Sequence, residues 1–393
     1  MTTEAIEELI ADYGTPAYVF DIDALSNRIN IIHGVLQKAN IDLCYAMKAN
    51  PFLVAPMESM VERFEVCSPG EFRICERERL PMERLVISGV NKERADIFRI
   101  VSQYQGEGIF TVESLRQLEL LKECATETGN KLKILVRISS GNQFGVDFAQ
   151  VKEIFSGMGH DPALELLGIQ YYSGTQKTMR KIKKELQKLD GWIQELTALG
   201  ASVQELEYGP GFCVPYFQSE QQEQLQELLS EFTEHVKKME FQGHVTLEMG
   251  RFLAADCGSF FTSIVDKKEI AGQIYGIVDG GIHHMNYYGQ VMAMKQPFIE
   301  HICRNGQTGQ EKEEWTICGS LCTSADVIVK QLPLTDAQEG DVLVFQRTGA
   351  YSVMEGISLF LSRDLPRVFF WSRDQGLRQV RKLQSTDLFN SCI

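Results

Sequence analysis

Leu43-Cys44-Tyr45-Ala46-Met47-Lys48-Ala49-Asn50-Pro51 is an apolar run that ends on a lysine, with a proline just beyond. Leu43 to Met47 reads as a buried strand, and Lys48 stands where that strand gives out into a loop. A lysine there is either a surface charge or a reactive amine. Held against apolar surroundings its pKa falls, and a neutral amine attacks carbonyl carbon. A Schiff-base lysine is therefore the first expectation.

The same strand-then-loop pattern recurs along the chain. Apolar strand-like runs fall at 41–48, 63–68, 84–89, 108–113, 133–139, 166–172, 205–209 and 245–249. Segments of helical spacing separate them, such as Leu115, Leu118, Leu121 and Leu186, Leu189, Ile193, Leu196. Eight strand-helix units predict an α/β fold, a closed (β/α)8 TIM-type barrel with its site at the C-terminal strand ends. The rim candidates are then Lys48; Ser68 and Gly70; Asn91; Glu113; Arg137; Tyr172, Gly174 and Thr175; Gly209 and Gly211; and Glu248, Gly250 and Arg251. Any one glycine could simply serve a turn, but chemically useful groups recur at the same end of successive strands.

Beyond about residue 255 the runs at 261–265, 273–279, 315–318, 326–332, 341–347 and 367–371 are short and separated by turns, which predicts a C-terminal all-β domain. The early run at 16–22 is expected to add its strand to it. The expected division is thus a barrel over 24–255 and a β-domain from 1–23 plus 256–393.

The chain has 393 residues, 44% hydrophobic and 23% charged, with a net charge of -14. That balance argues against nucleic acid or an anionic membrane as partner, since both demand clustered positive charge. The acidic, helically patterned stretch from Met1 to Ala11 lacks the order of a signal peptide, and no apolar run reaches membrane-spanning length, so a cytoplasmic protein is expected. Ten cysteines without a Cys-x-x-Cys pair suit reduced thiols, one of which could be catalytic.

Gly174-Thr175 and Gly209-Pro210-Gly211 could present backbone N–H groups to a phosphate, and Arg251 could add a charge. Together with Lys48 on the same barrel they describe a pyridoxal phosphate (PLP) site. Here the sequence resembles the fold type III PLP-dependent decarboxylases, built like alanine racemase, which act on diaminopimelate, ornithine and arginine. Tyr45–Asn50 resembles the family's Schiff-base motif, and Phe64-Glu65-Val66-Cys67-Ser68-Pro69-Gly70-Glu71 the segment under the cofactor. Gln143-Phe144-Gly145, Gly209-Pro210-Gly211-Phe212-Cys213-Val214-Pro215-Tyr216 and Glu248-Met249-Gly250-Arg251 are similar to its Lys-Phe-Gly, triple-glycine and Glu-Pro-Gly-Arg elements. Cys322 with Asp326, and Gly349-Ala350-Tyr351, match the second half of the site.

The resemblance implies roles. Lys48 would carry PLP, Glu248 would keep the pyridine nitrogen protonated, and Cys322 would return a proton to the α-carbon. Gly174, Thr175, Gly209, Gly211, Arg251 and Tyr351 would hold the phosphate, with Glu65, Ser68, Tyr172 and Gly250 in the cofactor's surroundings, and Arg137 would orient ring-side groups. A homodimer with shared active sites follows, because the cysteine arm belongs to the neighbouring subunit in this family.

The departures bear on substrate. Tyr172-Ser173-Gly174-Thr175-Gln176 stands where the family has His-x-Gly-Ser-Gln, so the ring-stacking residue carries no charge. Glu65 replaces an aspartate. Thr323 follows Cys322 where diamino-acid enzymes have an acid, and Asp279-Gly280-Gly281-Ile282-His283-His284 lacks the arginine of diaminopimelate decarboxylases. A charged tail buried without a partner would cost several kcal/mol, so a neutral tail is expected, contacting Thr323, Asp326, His283 and His284. These features resemble the branch that decarboxylates an aminoacyl group tethered to an acyl carrier protein, of which the butirosin-pathway glutamyl enzyme is an example. That branch implies a biosynthetic, secondary-metabolite role.

A basic run, Lys177, Arg180, Lys181, Lys183, Lys184 and Lys188, could steer an acidic carrier. It could equally be a solvated face balanced by Glu185 and Glu195. No metal is expected, since adjacent histidines without further ligands seldom bind one. The alternative is decarboxylation of a free amino acid, of the diaminopimelate, ornithine or lysine type or with an uncharged tail. A racemase would need a tyrosine where Cys322 stands, and a non-catalytic relative would lack Lys48 or Cys322.

Overall fold

The computed structural model describes residues 1–158, 161–221, 223–304 and 312–392. Helix α1 (Thr3–Glu8) starts at Thr2, whose hydroxyl accepts the Ala5 N–H, and the chain then forms strand β1 (Ala17–Asp21). Helix α2 (Ile22–Leu36) leads into eight strands: β2 (Ile41–Ala46), β3 (Arg63–Val66), β4 (Leu85–Ile87), β5 (Ile109–Val112), β6 (Leu132–Ile138), β7 (Leu164–Tyr172), β8 (Glu205–Gly209) and β9 (His244–Met249). Each pairs in parallel with the next, and β9 closes on β2, giving the TIM-type barrel the eight apolar runs predict. The helices after them are α3 (Val54–Met57), α4 (Pro69–Glu78), α5 (Arg94–Gln103), α6 (Leu115–Thr128), α7 (Phe148–Met158), α8 (Met179–Ala198), α9 (Leu225–Val236) and α10 (Arg251–Ala254).

Apolar and polar layers alternate inside the barrel. Cys44, Val86, Ile109 and Leu135 pack together, whereas Arg63, at the start of β3, forms a two-pronged ion pair with the buried Glu205. Removing one partner of such a pair leaves a buried charge unmatched. Arg63→Ala should therefore lower unfolding stability by about 3 kcal/mol, read as an earlier urea midpoint. Arg63→Met combined with Glu205→Gln should recover most of the loss.

The second sheet contains β10 (Gly258–Ile270), β11 (Gln273–Val278), β12 (Ile299–Ile302), β13 (Lys312–Cys318), β14 (Val327–Thr335), β15 (Val342–Gln346), β16 (Arg367–Ser372) and β17 (Gly376–Arg381). Its path is β14-β13-β11-β10-β1-β16-β17, with β15 paired to β10 and β12. The early strand β1 lies in the middle, antiparallel to β10 and parallel to β16, and buries Tyr18, Val19 and Phe20. Strands β12 and β17 are additions to the sequence reading.

The chain divides into two compact units. One comprises Ile29–Cys213 and Glu223–Phe252 and holds the barrel; the other comprises Met1–Arg28, Val214–Gln222 and Leu253–Ile393 and holds the β-sheet. Among the described residues no helix is long and apolar enough to cross a membrane.

Candidate active site

Strand β2 stops at Ala46, two residues before the sequence reading ends it, and Met47–Ala49 form a single 3-10 turn. The turn is fastened by the Tyr45 hydroxyl, which donates to the Asn50 carbonyl at 3.0 Å, and by the Asn50 N–H, which donates to Met47. Asn50 then caps the turn begun by Pro51, its side chain accepting the Phe52 N–H. Lys48 is thereby held on the barrel rim, with a side chain 37% exposed.

Its amine is flanked by two carboxylates on the neighbouring strands. Register places Glu65 of β3 beside Ala46 and Glu248 of β9 beside Cys44. Lys48 donates to Glu65 and, at 3.1 Å, to Glu248, and its Nζ lies 3.7 Å from Cys67 Sγ. The two acids diverge in proton affinity. Burial alone would raise Glu65, but the charge and hydrogen bond of Lys48 outweigh it and hold Glu65 at about 2. Burial and then the negative charge of Glu65 push Glu248 up to about 7, with Lys48 only partly offsetting them. One carboxylate and one acid that can keep its proton near neutrality thus face a single amine. The pairing of Glu248 is with Lys48 and Glu65.

A third interior acid, Glu207 of β8, is fully buried, accepts from the Gln170 amide, and is raised by burial and by Glu248 and Glu65. Arg137 donates to the buried Glu113 at 3.0 Å and lies over the Phe144 ring. Lys92, after β4, donates to the Gly89 carbonyl and the Thr111 hydroxyl, and burial lowers it to about 8.

The glycine loops form a second cluster. A Cβ on Gly211 would sit 2.1 Å from the Gly174 carbonyl oxygen, and one on Gly209 would sit 2.6 Å from Cδ2 of Tyr172. Gly174 and Gly211 have φ of +122° and +59°, which favour glycine. Thr175 lies between Gly174 and Gln176 in the same loop, half-buried. Gly250 lets β9 approach β2, since a Cβ there would meet Ala49 at 2.7 Å, and Arg251 follows it as the first residue of α10. A bare backbone cradle, a rim lysine and a proton-holding acid together fit a phosphorylated carbonyl cofactor.

Several candidate residues also carry structural tasks, and Lys177 lies elsewhere than its charge suggests. Ser68 is the N-cap of α4, its hydroxyl accepting the Glu71 N–H while Glu71 accepts the Cys67 N–H, so it serves the helix. Lys177 is not on the surface: it is 4% exposed and donates to Glu185, Ser173 and the Gly209 carbonyl. Glu185 is buried with it and cannot balance a solvent face. In the β-sheet unit His283 and His284 are 2% and 4% exposed, their rings 3.7 Å apart. Burial lowers them to about 3 and about 4, so they are neutral imidazoles within that unit. Asp326 is likewise buried, accepting from the Ile282 and Leu321 N–H groups, and serves as a loop staple.

Cys322, by contrast, is exposed, and the adjacent Thr323 closes a turn through its hydroxyl, which accepts the Ala325 N–H. Tyr351 has a φ of +66° and its carbonyl accepts from Met354 and Glu355. Elsewhere in this unit His301, Cys303 and Asp341 bring ligand atoms within 4.8 Å of one another, but Asp341 already accepts from the Arg304 and Gln338 backbone.

The family model for the pyridoxal-dependent decarboxylases, pyridoxal binding domain, matches residues 23–255. A diaminopimelate decarboxylase of Aquifex aeolicus is 25% identical, covering 88% of this chain and 84% of that protein. The L-glutamyl-(BtrI acyl-carrier protein) decarboxylase of Niallia circulans is 24% identical, covering 97% and 94%. Among solved structures, diaminopimelate decarboxylase from M. jannaschii in complex with L-lysine superposes with a TM-score of 0.86 at 22% identity, covering 98% of this chain and 94% of that one.

Proposed function

The chain belongs to the pyridoxal-dependent decarboxylases, and we propose that it removes the α-carboxylate of an aminoacyl group carried, through a neutral linkage, by an acyl carrier protein. Pyridoxal phosphate, when bound, supplies an electron sink for the pair left behind as carbon dioxide departs. The chain's own residues do the rest. Lys48 offers the amine that holds the cofactor. Glu248, whose burial favours its protonated form, is assigned to hold a proton at the ring nitrogen. Glu65 stays anionic and keeps the Lys48 amine on the rim. Gly174, Gly209 and Gly211 form the phosphate cradle. Arg137, anchored by Glu113, orients groups beside the ring. Cys322, an exposed thiol, is assigned to protonate the α-carbon in the site of a second copy, so that the working unit is a homodimer.

The observation that carries the tethered substrate is the first half of α8. Arg180, Lys181, Lys183, Lys184 and Lys188 are all exposed, and Glu185, the acid among them, is buried. The helix has no acid in its first turn. Cations at a helix N-terminus oppose its dipole, so this arrangement carries a stability cost that an anionic partner would offset. Helix α8 also begins at the C-terminal end of β7, the barrel's catalytic rim. The full-length similarity to a carrier-protein decarboxylase agrees with this reading. Diaminopimelate decarboxylases among the relatives favour a second one, a free amino acid as substrate.

The test is mass spectrometry of aminoacyl carrier proteins before and after incubation, looking for loss of one carbon dioxide. Efficient turnover of free diaminopimelate, ornithine or lysine instead would support the second reading. The α8 face should also show in kinetics. Lys181→Glu with Lys184→Glu should raise KM for the carrier-linked substrate about tenfold at low salt, with little change in kcat.

A further inference from the structure

Lys177 is a buried cation that the cofactor chemistry described above does not use. Its side chain is 1% exposed, its Nζ lies 2.6 Å from Glu185 Oε2, and burial lowers its proton affinity while Glu185 restores part of it. Glu185 also accepts from the hydroxyls of Ser173 and Tyr208, so the pair belongs to a satisfied network. A core ion pair of this kind seldom adds net stability over apolar residues of the same volume. Its position shows what it does add.

The remaining hydrogen bonds of Lys177 fall on the two glycine loops. Its Nζ donates to the Gly209 carbonyl at 3.2 Å and to Ser173 Oγ at 3.2 Å, and its backbone N–H donates to the Gly211 carbonyl at 2.9 Å. Its stem fills the space beside Gly211, where a Cβ would lie 2.9 Å from Lys177 Cε. The ammonium also stands behind the rings of Tyr172 and Tyr208, at 5.9 Å and 5.3 Å from their centroids. One residue therefore ties the loop after β7 to the loop after β8 and draws two loop carbonyls to its own side. In a trans peptide the N–H points opposite to the C=O, so drawing in the Gly211 carbonyl turns the Phe212 N–H to the other side of the loop.

We propose that Lys177, held by Glu185, is a positioning residue that sets the phosphate cradle: its backbone N–H turns the Phe212 N–H outward, and its paired ammonium ties Ser173 to the Gly209 carbonyl and stands beneath both loops. The inference rests on the assignment of Gly174, Gly209 and Gly211 to the phosphate. Of the two charges it is the ammonium that reaches the Gly209 carbonyl, and a cation set behind outward-facing amides favours a dianion over a neutral group.

The experiment compares PLP with pyridoxal, which lacks the phosphate, on cofactor-free protein. Affinity is read from the visible absorbance of the lysine-bound cofactor. K177M/E185Q removes both charges together and leaves no unpaired ion. Its affinity for PLP should fall about tenfold or more, the scale of one hydrogen bond to a charged group, while that for pyridoxal stays within about twofold. Equal weakening of both ligands, or no weakening, overturns the proposal, because a purely structural role does not read the phosphate. Should the double variant fail to fold, Lys177→Gln keeps the stem and a donor near Gly209, and the same loss of PLP preference, at least about threefold, is required. Wild-type protein that develops no absorbance with PLP would instead sink the cofactor-site assignment itself.

Discussion

Replacing Lys48 with alanine is expected to lower decarboxylation by on the order of 10⁴-fold or more, as removal of a covalently acting group does. The reason lies in the turn that follows β2. Met47–Ala49, tied by Tyr45 and Asn50, holds one amine between Glu65 and Glu248. Among the described residues Lys92 is a nearby amine of lowered proton affinity, but it is engaged by Gly89 and Thr111. The variant should also lose the visible absorbance of bound cofactor on dialysis. Two carboxylates are left facing each other, so its cofactor-free form should melt earlier above neutral pH. Mixing Lys48→Ala chains with Cys322→Ala chains should restore part of the activity if the two residues act across a dimer. Unchanged turnover in Lys48→Ala would remove the foundation of the functional reading.

Glu248→Gln should separate activity from stability in opposite directions. Decarboxylation falls by about 10²–10³-fold, since a group that holds a proton where charge develops is lost. The cofactor-free fold, however, becomes more stable at alkaline pH. Glu248 is raised from its ordinary 4.5 to about 7, so between those values the folded chain binds a proton that the unfolded chain releases. Stability from this group is therefore lost as pH rises through that window, and glutamine escapes the loss. A gain of about 1–3 kcal/mol at pH about 8, vanishing near pH 5, is the expected result. Glu65 works the other way. Its lowered value makes its contribution present above the ordinary carboxylate range and lost as pH falls toward about 2. Thermal melts of both proteins across pH test this, and a variant that is destabilised at every pH would refute the assignment of Glu248 as the protonated partner.

Much of the barrel is legible because its strands are buried on both faces and read as continuous apolar runs. Lys48 and Glu248 follow directly, being strand-end polar residues in an otherwise apolar context, whereas Glu65 comes from the resemblance of residues 64–71 to the family's segment under the cofactor. The two added strands escape notice for the opposite reason: Gly376–Arg381 is a polar edge strand, and Ile299–Ile302 is only four residues long. Lys177 was misplaced because its charge suggests solvent, yet Glu185 sits on the stripe of Ile182, Leu186 and Leu189, and an acid on an apolar helix face signals a buried partner. Ser68 and Asp326 show a further limit. Their residue types suit ligand binding, and only the backbone N–H groups they satisfy reveal a structural task. The burial of His283 and His284 is likewise not readable from residue type alone.

The decisive measurement is borohydride reduction of the cofactor-loaded protein, followed by peptide mass spectrometry. Reduction makes the lysine–cofactor bond permanent, so the modified residue can be read directly. Phosphopyridoxyl mass on Lys48, in the peptide ending at Arg63, is the outcome required here. Mass on Lys92 or Lys177 with Lys48 unmodified, or no modification at all, would contradict it.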